Sequence, residues 1–179
     1  MRCWQVRTLP DKQPLRVPGW SSFFLCRYRK CQGGNLMSKP RIAIFDFACC
    51  EGCQLQIVNL EEEILSLISL VSPVEWREAM SDQSQEYDIA IIEGSITRKE
   101  DEERIREIRS RAKILIALGA CATIGGVNKL KNYGNLDEKK RDVYGDSASM
   151  PHLDTMPTKA VSEVVTVDLM IHGCPIDKK

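Results

Sequence analysis

Ile42-Ala43-Ile44-Phe45-Asp46-Phe47-Ala48-Cys49-Cys50-Glu51-Gly52-Cys53-Gln54 is the stretch on which the reading of this chain turns. An apolar run enters it, three of the chain's eight cysteines fall within five positions, and a long amphipathic segment leaves it. The pattern predicts a strand, a thiol-rich turn and a helix. Such a turn lies at the carboxyl end of a strand and the amino end of a helix, where open α/β sheets bind ligands. Free backbone N–H groups and the helix dipole would favour thiolates there.

Outward from this stretch the same alternation repeats. Arg41–Phe47 reads as a buried strand and Gln54–Val71 as a helix, with Ile57, Leu60, Ile64, Leu65, Ile68 and Val71 on one face. Ser72-Pro73 ends that helix, and Val74–Met80 is a short second strand. Tyr87–Glu93 is a third strand, buried on both faces. Thr97 and Glu100 form a capping box for a charged helix reaching Ala112. Lys113–Leu118 is a fourth strand, and Val161–Ile171 holds a fifth. Strands alternating with helices predict a mostly parallel sheet flanked by helices, an α/β, flavodoxin-like fold. The stretch Asn128–Lys159 is polar and without period, so a long loop over about 128–160 is expected, with a binding surface as one use for it.

Composition narrows the class of protein. With 179 residues, 43% apolar and 28% charged, the chain suits one soluble domain with a real core. No apolar run approaches the roughly 20 residues of a membrane span, so no direct membrane insertion is expected. The zero net charge conceals +6 over residues 1–36 and −6 over residues 37–179. An acidic body gives no reason to expect nucleic-acid binding. Residues 1–36 follow no helical or strand period and read as a poorly structured, non-native extension ahead of a natural start at Met37; a targeting peptide and a DNA- or membrane-contacting arm are the alternatives. Cys3, Cys26 and Cys31 then carry no chemistry. The chain lacks a convincing secretory signal, and its other cysteines sit at predicted strand ends. That combination points to a reducing, cytoplasmic setting and to metal or redox chemistry rather than disulfides.

Cys50 and Cys53 follow the first predicted strand, Cys121 the fourth and Cys174 the fifth. All four stand at carboxyl ends of strands, so they converge on one rim. Glycines accompany them, Gly52, Gly119 and Gly173, and let backbone approach closely. Four thiolates around one point suit tetrahedral zinc or an iron–sulfur cluster. Here one Cys-x-x-Cys pair is joined by two single cysteines, roughly 70 and 50 residues further along. That spread favours a cubane; zinc and inert buried thiols stay open.

These residues resemble a known family. Cys-x-Gly-Cys-Gln-Leu-Gln at 50–56, Glu93-Gly94-Ser95, Gly119-Ala120-Cys121-Ala122 with Gly125-Gly126, and Gly173-Cys174-Pro175 follow the order found in small, electron-transfer subunits of NiFe hydrogenases. The cytosolic kind is nearest: sulfhydrogenase delta subunits and the small subunits of F420-non-reducing hydrogenases. The 20 kDa subunit of respiratory complex I is a more distant likeness. The resemblance implies that Cys50, Cys53, Cys121 and Cys174 ligate a proximal [4Fe-4S] cluster. It implies docking on a large subunit that holds the Ni–Fe site, alongside other electron-transfer subunits. The chain would be a subunit of an oxidoreductase, conducting electrons rather than catalysing alone.

Two departures bear on that reading. Cys49 makes a tandem Cys49-Cys50, the complex I pattern, and is the alternative ligand; in the hydrogenase register it is a buried thiol. Family members also continue past Gly-Cys-Pro into a region with further cysteines, whereas this sequence stops at Lys179, which reads as C-terminal truncation. Glu93 ends a strand on the same rim, as an acid beside the cluster or as a carboxylate capping a turn. His172 reads as an ordinary strand-end histidine, and His152 has no visible partner. The helix Arg98–Arg111 mixes six basic with five acidic residues, as a solvated face does. No Ser/His/Asp set, Gly-x-Gly-x-x-Gly or phosphate loop is present, so a hydrolase or nucleotide site has no support. The remaining alternatives are a complex I-like quinone oxidoreductase subunit and a non-enzymatic zinc- or thiol-stabilised module.

Overall fold

The computed structural model describes residues 39–145 and 154–178. The chain divides into two units, Met1–Ser38 and Lys39–Lys179, and the described residues all belong to the second. The expectations for residues 1–36, and that for His152, lie outside them.

Five strands form one parallel sheet in the order β2-β1-β3-β4-β5. They are β1 Arg41–Asp46, β2 Ser72–Trp76, β3 Ile89–Glu93, β4 Ile114–Leu118 and β5 Leu169–Ile171. This is the flavodoxin-like order, and β3 is central because Ile89-Ala90-Ile91-Ile92 offers apolar side chains to both faces. The helices are α1 Gly52–Val58, α2 Glu62–Leu70, α3 Lys99–Arg111, α4 Gly119–Ile124 and α5 Leu136–Tyr144. Ala43, Ala90, Leu115 and Ala117 are fully buried, and α3 adds Ile105 and Ile108 to the same core. Small alanines along three adjacent strands let the covering elements approach the sheet closely. No helix among the described residues is long and apolar enough to cross a membrane.

Several boundaries differ from expectation, each for a local reason. The single helix expected over Gln54–Val71 is two, broken where Glu61 takes φ 54° and ψ −123°. The second of them, α2, has no buried residue, and Leu65 is 72% exposed, so its apolar face does not enter this core. Pro73 lies within β2, which is an edge strand and can spare a donor. The Thr97/Glu100 capping box is replaced by Asp101, whose carboxylate accepts the N–H groups of Arg98 (3.1 Å) and Thr97 (3.3 Å). The expected long loop contains a 3-10 turn, Val127–Asn132, and then α5, whose N-cap Asn135 accepts from the N–H groups of Asp137 and Glu138. Since α5 buries nothing, it carries no apolar period to detect. Only Leu169–Ile171 of the expected fifth strand is extended in the sheet.

At the amino end of the sheet Asp88 ties three strands together. Its carboxylate accepts from the Arg41 N–H (2.9 Å) and from Lys113 Nζ (2.7 Å), while its carbonyl accepts from Lys113 N and Ile114 N. Burial alone would push this carboxyl up, but the Lys113 ammonium and the Arg41 N–H outweigh it and hold it below the ordinary carboxylate range. A folded value below the unfolded one means that the stabilisation is complete above the unfolded pKa and is lost as pH falls. Asp88→Asn is therefore expected to lower unfolding free energy by about 1–3 kcal/mol at pH 7. In urea titrations the gap to wild type should shrink as pH falls below about 4, near the unfolded aspartate value.

Candidate functional site

Because every strand runs the same way, the turns after β1, β4 and β5 and the last residue of β3 share one rim. A pocket of about 280 Å³ opens there, lined by Cys50, Gly52, Cys53, Leu55, Gln56, Asn59, Glu93, Ala120, Cys121, Gly173, Cys174 and Pro175. The structure thus brings together the four cysteines expected to converge. It also places Gly52, Gly173 and Glu93 in the same wall. Cys53 is buried, Cys121 half-buried, and Cys50 and Cys174 exposed. The pocket is therefore closed on the Cys53 side and open on the other.

Glycines allow this close approach at two positions. A Cβ on Gly119, at φ 80°, would stand 2.4 Å from the Cys53 Sγ, and one on Gly126, at φ 55°, 2.8 Å from the Cys121 Sγ. Ala120 N–H donates to the Gly173 carbonyl at 2.7 Å, which ties the turn after β4 to the turn after β5. Thr123 donates to the Gly119 carbonyl (3.0 Å), so the contact between His172 Nδ1 and Thr123 Oγ1 (3.1 Å) has His172 as donor. His172 thereby clasps α4 to the end of β5, an ordinary structural role.

Glu93 is 2% exposed, and its carboxylate accepts from Cys53 N (3.0 Å) and Gln54 N (3.1 Å). It caps the cysteine turn, as one of the two readings of this residue expects, and it also lines the pocket. The free N–H groups expected to stabilise thiolates at the start of α1 include these two, and they are already taken. The thiols respond accordingly. Burial pushes the Cys53 thiol up to about 11, with Glu93 adding to the effect and a backbone hydrogen bond from Ile176 opposing it. Cys121 is also raised, by burial and then by Cys174 and Cys50. The expectation of thiolates favoured by the turn's own N–H groups is therefore corrected: two of those groups are held by Glu93, and burial raises Cys53 and Cys121 instead.

Cys49 behaves differently from its neighbours. Its Sγ donates to the Phe47 carbonyl (3.4 Å), burial pushes its thiol up to about 12, and it is absent from the pocket wall. Among the described residues no group of three or more His, Cys, Asp or Glu side chains is placed to hold a metal ion. A lone zinc needs its sulfurs about 2.3 Å from one point.

Two participants escape a reading of the sequence. Gln54 is 1% exposed, and its Oε1 accepts from Trp76 Nε1 at 3.0 Å, while its Nε2 has no hydrogen-bond partner among the described residues. Asn128 donates to the Ala48 carbonyl (2.7 Å) and to Ser95 Oγ (2.9 Å), holding the start of the cysteine turn against the segment just after β3. Gln54 stands within the Cys-x-Gly-Cys-Gln-Leu-Gln motif, which gives no sign of its Trp76 partner, and Asn128 has no signal at all.

Comparison with known proteins agrees with the architecture. The family described as "NADH ubiquinone oxidoreductase, 20 Kd subunit" matches residues 50–179. The sulfhydrogenase 2 subunit delta of Pyrococcus furiosus is 35% identical over 140 residues, covering 78% of this chain and 57% of that protein. A subunit of the F420-non-reducing hydrogenase of Methanothermobacter thermautotrophicus is 31% identical over 156 residues, covering 78% of this chain and 50% of that protein. The chain thus spans about half the length of these curated relatives. A crystal structure of an NAD+-reducing [NiFe]-hydrogenase in the H2-reduced state contains a chain 29% identical to this one, with a TM-score of 0.68 over 77% of this chain and 84% of that chain. These likenesses suggest an iron–sulfur cofactor.

The close packing at Gly119 can be tested by itself. Gly119→Ala should lower unfolding free energy by about 1–3 kcal/mol, since it adds backbone strain to a clash with Cys53. Gly145→Ala is the control: φ is also positive (56°) but nothing lies within 4 Å, so chemical denaturation should show the smaller loss.

Proposed function

We propose, on the premise that this chain belongs to the NADH ubiquinone oxidoreductase, 20 Kd subunit family, that it is the electron-transfer subunit of a NiFe hydrogenase-type oxidoreductase. In this reading Cys50, Cys53, Cys121 and Cys174 hold a [4Fe-4S] cluster. The observation that carries it is the gathering of these four thiols, from three separate strand ends, around one pocket. When bound, such a cluster stores and passes on single electrons. The chain's own residues supply the holder. Gly119 and Gly126 let backbone close on two of the sulfurs, and burial of Cys53 keeps water from the inner side. Exposed Cys50 and Cys174 form the outer edge, where an electron can enter or leave.

The partner in this reading is a large subunit holding the Ni–Fe site, with other electron-transfer subunits alongside. Leu55 on the pocket wall, and Ile124 and Val127 just after Cys121, are exposed apolar side chains suited to such a contact. We place the assembly in the cytoplasm, the kind of reducing compartment in which cysteines are committed to a metal rather than to disulfides.

A second reading has an observation of its own. The tandem Cys49-Cys50 and the description of the matching family suit a complex I-like quinone oxidoreductase subunit with Cys49 as a ligand. The Cys49 hydrogen bond to the Phe47 carbonyl favours the hydrogenase register instead.

Anaerobic purification with metal and sulfide analysis separates these readings. About four irons and four sulfides per chain are expected. Cys53→Ala should abolish the cluster and Cys49→Ala should leave it. The reverse pair of results would establish the complex I-like register. One zinc without sulfide would sink both cluster readings.

A further inference from the structure

The electron-transfer reading leaves the charge on Glu93 without a purpose. This carboxylate is 2% exposed and lines the same pocket as the four thiols. Buried carboxylates are ordinarily matched by a cation. Among the described residues Glu93 forms no ion pair with Lys, Arg or His, although Asp46, its register partner on β1, pairs with Arg77. Its oxygens accept instead from Cys53 N and Gln54 N. Both oxygens act as acceptors, so the side chain takes up two backbone donors of the cysteine turn. Trp76, donating to Gln54 Oε1 at 3.0 Å, fixes the Gln54 side chain from the other direction.

We propose that Glu93 is a positioning and charge-setting residue that makes the pocket's iron–sulfur cluster harder to reduce. The proposal rests on the cluster reading of the four thiols. Two effects act with the same sign. Glu93 places negative charge beside a group that becomes more negative when it gains an electron. It also occupies two backbone donors of the cysteine turn, which could otherwise hydrogen-bond to sulfur and favour the reduced form. Reduction adds one electron to the cluster, and in the test that electron comes from dithionite through soluble mediators. No bond to Glu93 forms or breaks.

The test is a redox titration of the full chain, purified anaerobically with its cluster and read by EPR, beside iron and sulfide content. Glu93→Gln keeps the size and removes the charge, and because its amide nitrogen cannot accept it also frees one of the two backbone donors, which acts with the same sign. It should raise the ratio of reduced to oxidised cluster at fixed potential about tenfold, equivalent to about 59 mV for one electron. Glu93→Asp keeps the charge and should stay close to wild type, as should Asp46→Asn. A loaded Glu93→Gln chain with an unmoved ratio overturns the proposal, as does an equal shift from Asp46→Asn. If Glu93→Gln takes up no iron, Glu93→Asp decides: a wild-type ratio supports the role, and a shifted ratio or loss of iron overturns it in favour of a structural cap. Absence of iron and sulfide from the wild type sinks the cluster reading first, and so is distinct from failure at Glu93.

Discussion

Parallel pairing of β3 with both of its neighbours is the constraint on which the rim depends. The register joins Asp46 to Glu93 and Glu93 to Leu118, so the last residues of three strands stand level. The chain must then turn away at the same height three times over. Cys50 and Cys53 leave β1 there, Cys121 leaves β4, and Cys174 follows β5. A shift of one residue in any pairing would turn side chains to the opposite face and part the thiols. The clamp at Asp88 holds the opposite end of the same strands, so register is fixed far from the chemistry it serves.

The rim is electrostatically unfriendly to bare thiolates. Cys53 and Cys121 are pushed up by burial and by their neighbours, and the N–H groups that might compensate are given to Glu93. A site of this kind is poor as a free nucleophile. In the proposed reading a cationic metal core replaces the protons. Close backbone at Gly119 and Gly126 and the open edge at Cys50 and Cys174 give the same pocket a rigid inner wall and an accessible outer one.

Much of this is legible in the amino-acid sequence. β1, β3 and β4 are short, nearly continuous apolar runs of the length and flanking that suit buried parallel strands, and cysteines or glycines follow each of them. The parts that stay hidden share a cause: their energetics lie in tertiary or single-residue geometry. The break between α1 and α2 rests on the backbone of one residue, Glu61, within a pattern that otherwise reads as helix. The polar helix α5 buries nothing and so leaves no period. The apolar face of α2 is visible, but periodicity does not say what covers it, and here it stays outside the core. Glu93 can be placed on the rim, yet its two N–H partners, and Gln54 locked to Trp76, depend on contacts made only when distant segments meet.

The central claim is that Cys50, Cys53, Cys121 and Cys174 enclose one polynuclear iron–sulfur group. Anomalous diffraction at the iron edge, from crystals of anaerobically purified chain, tests it most directly. The account predicts a compact group of iron peaks inside the pocket, with those four sulfurs as its protein ligands and Cys49 still turned to the Phe47 carbonyl. A single metal peak, a Cys49 ligand in place of Cys53, or a pocket without iron would contradict it.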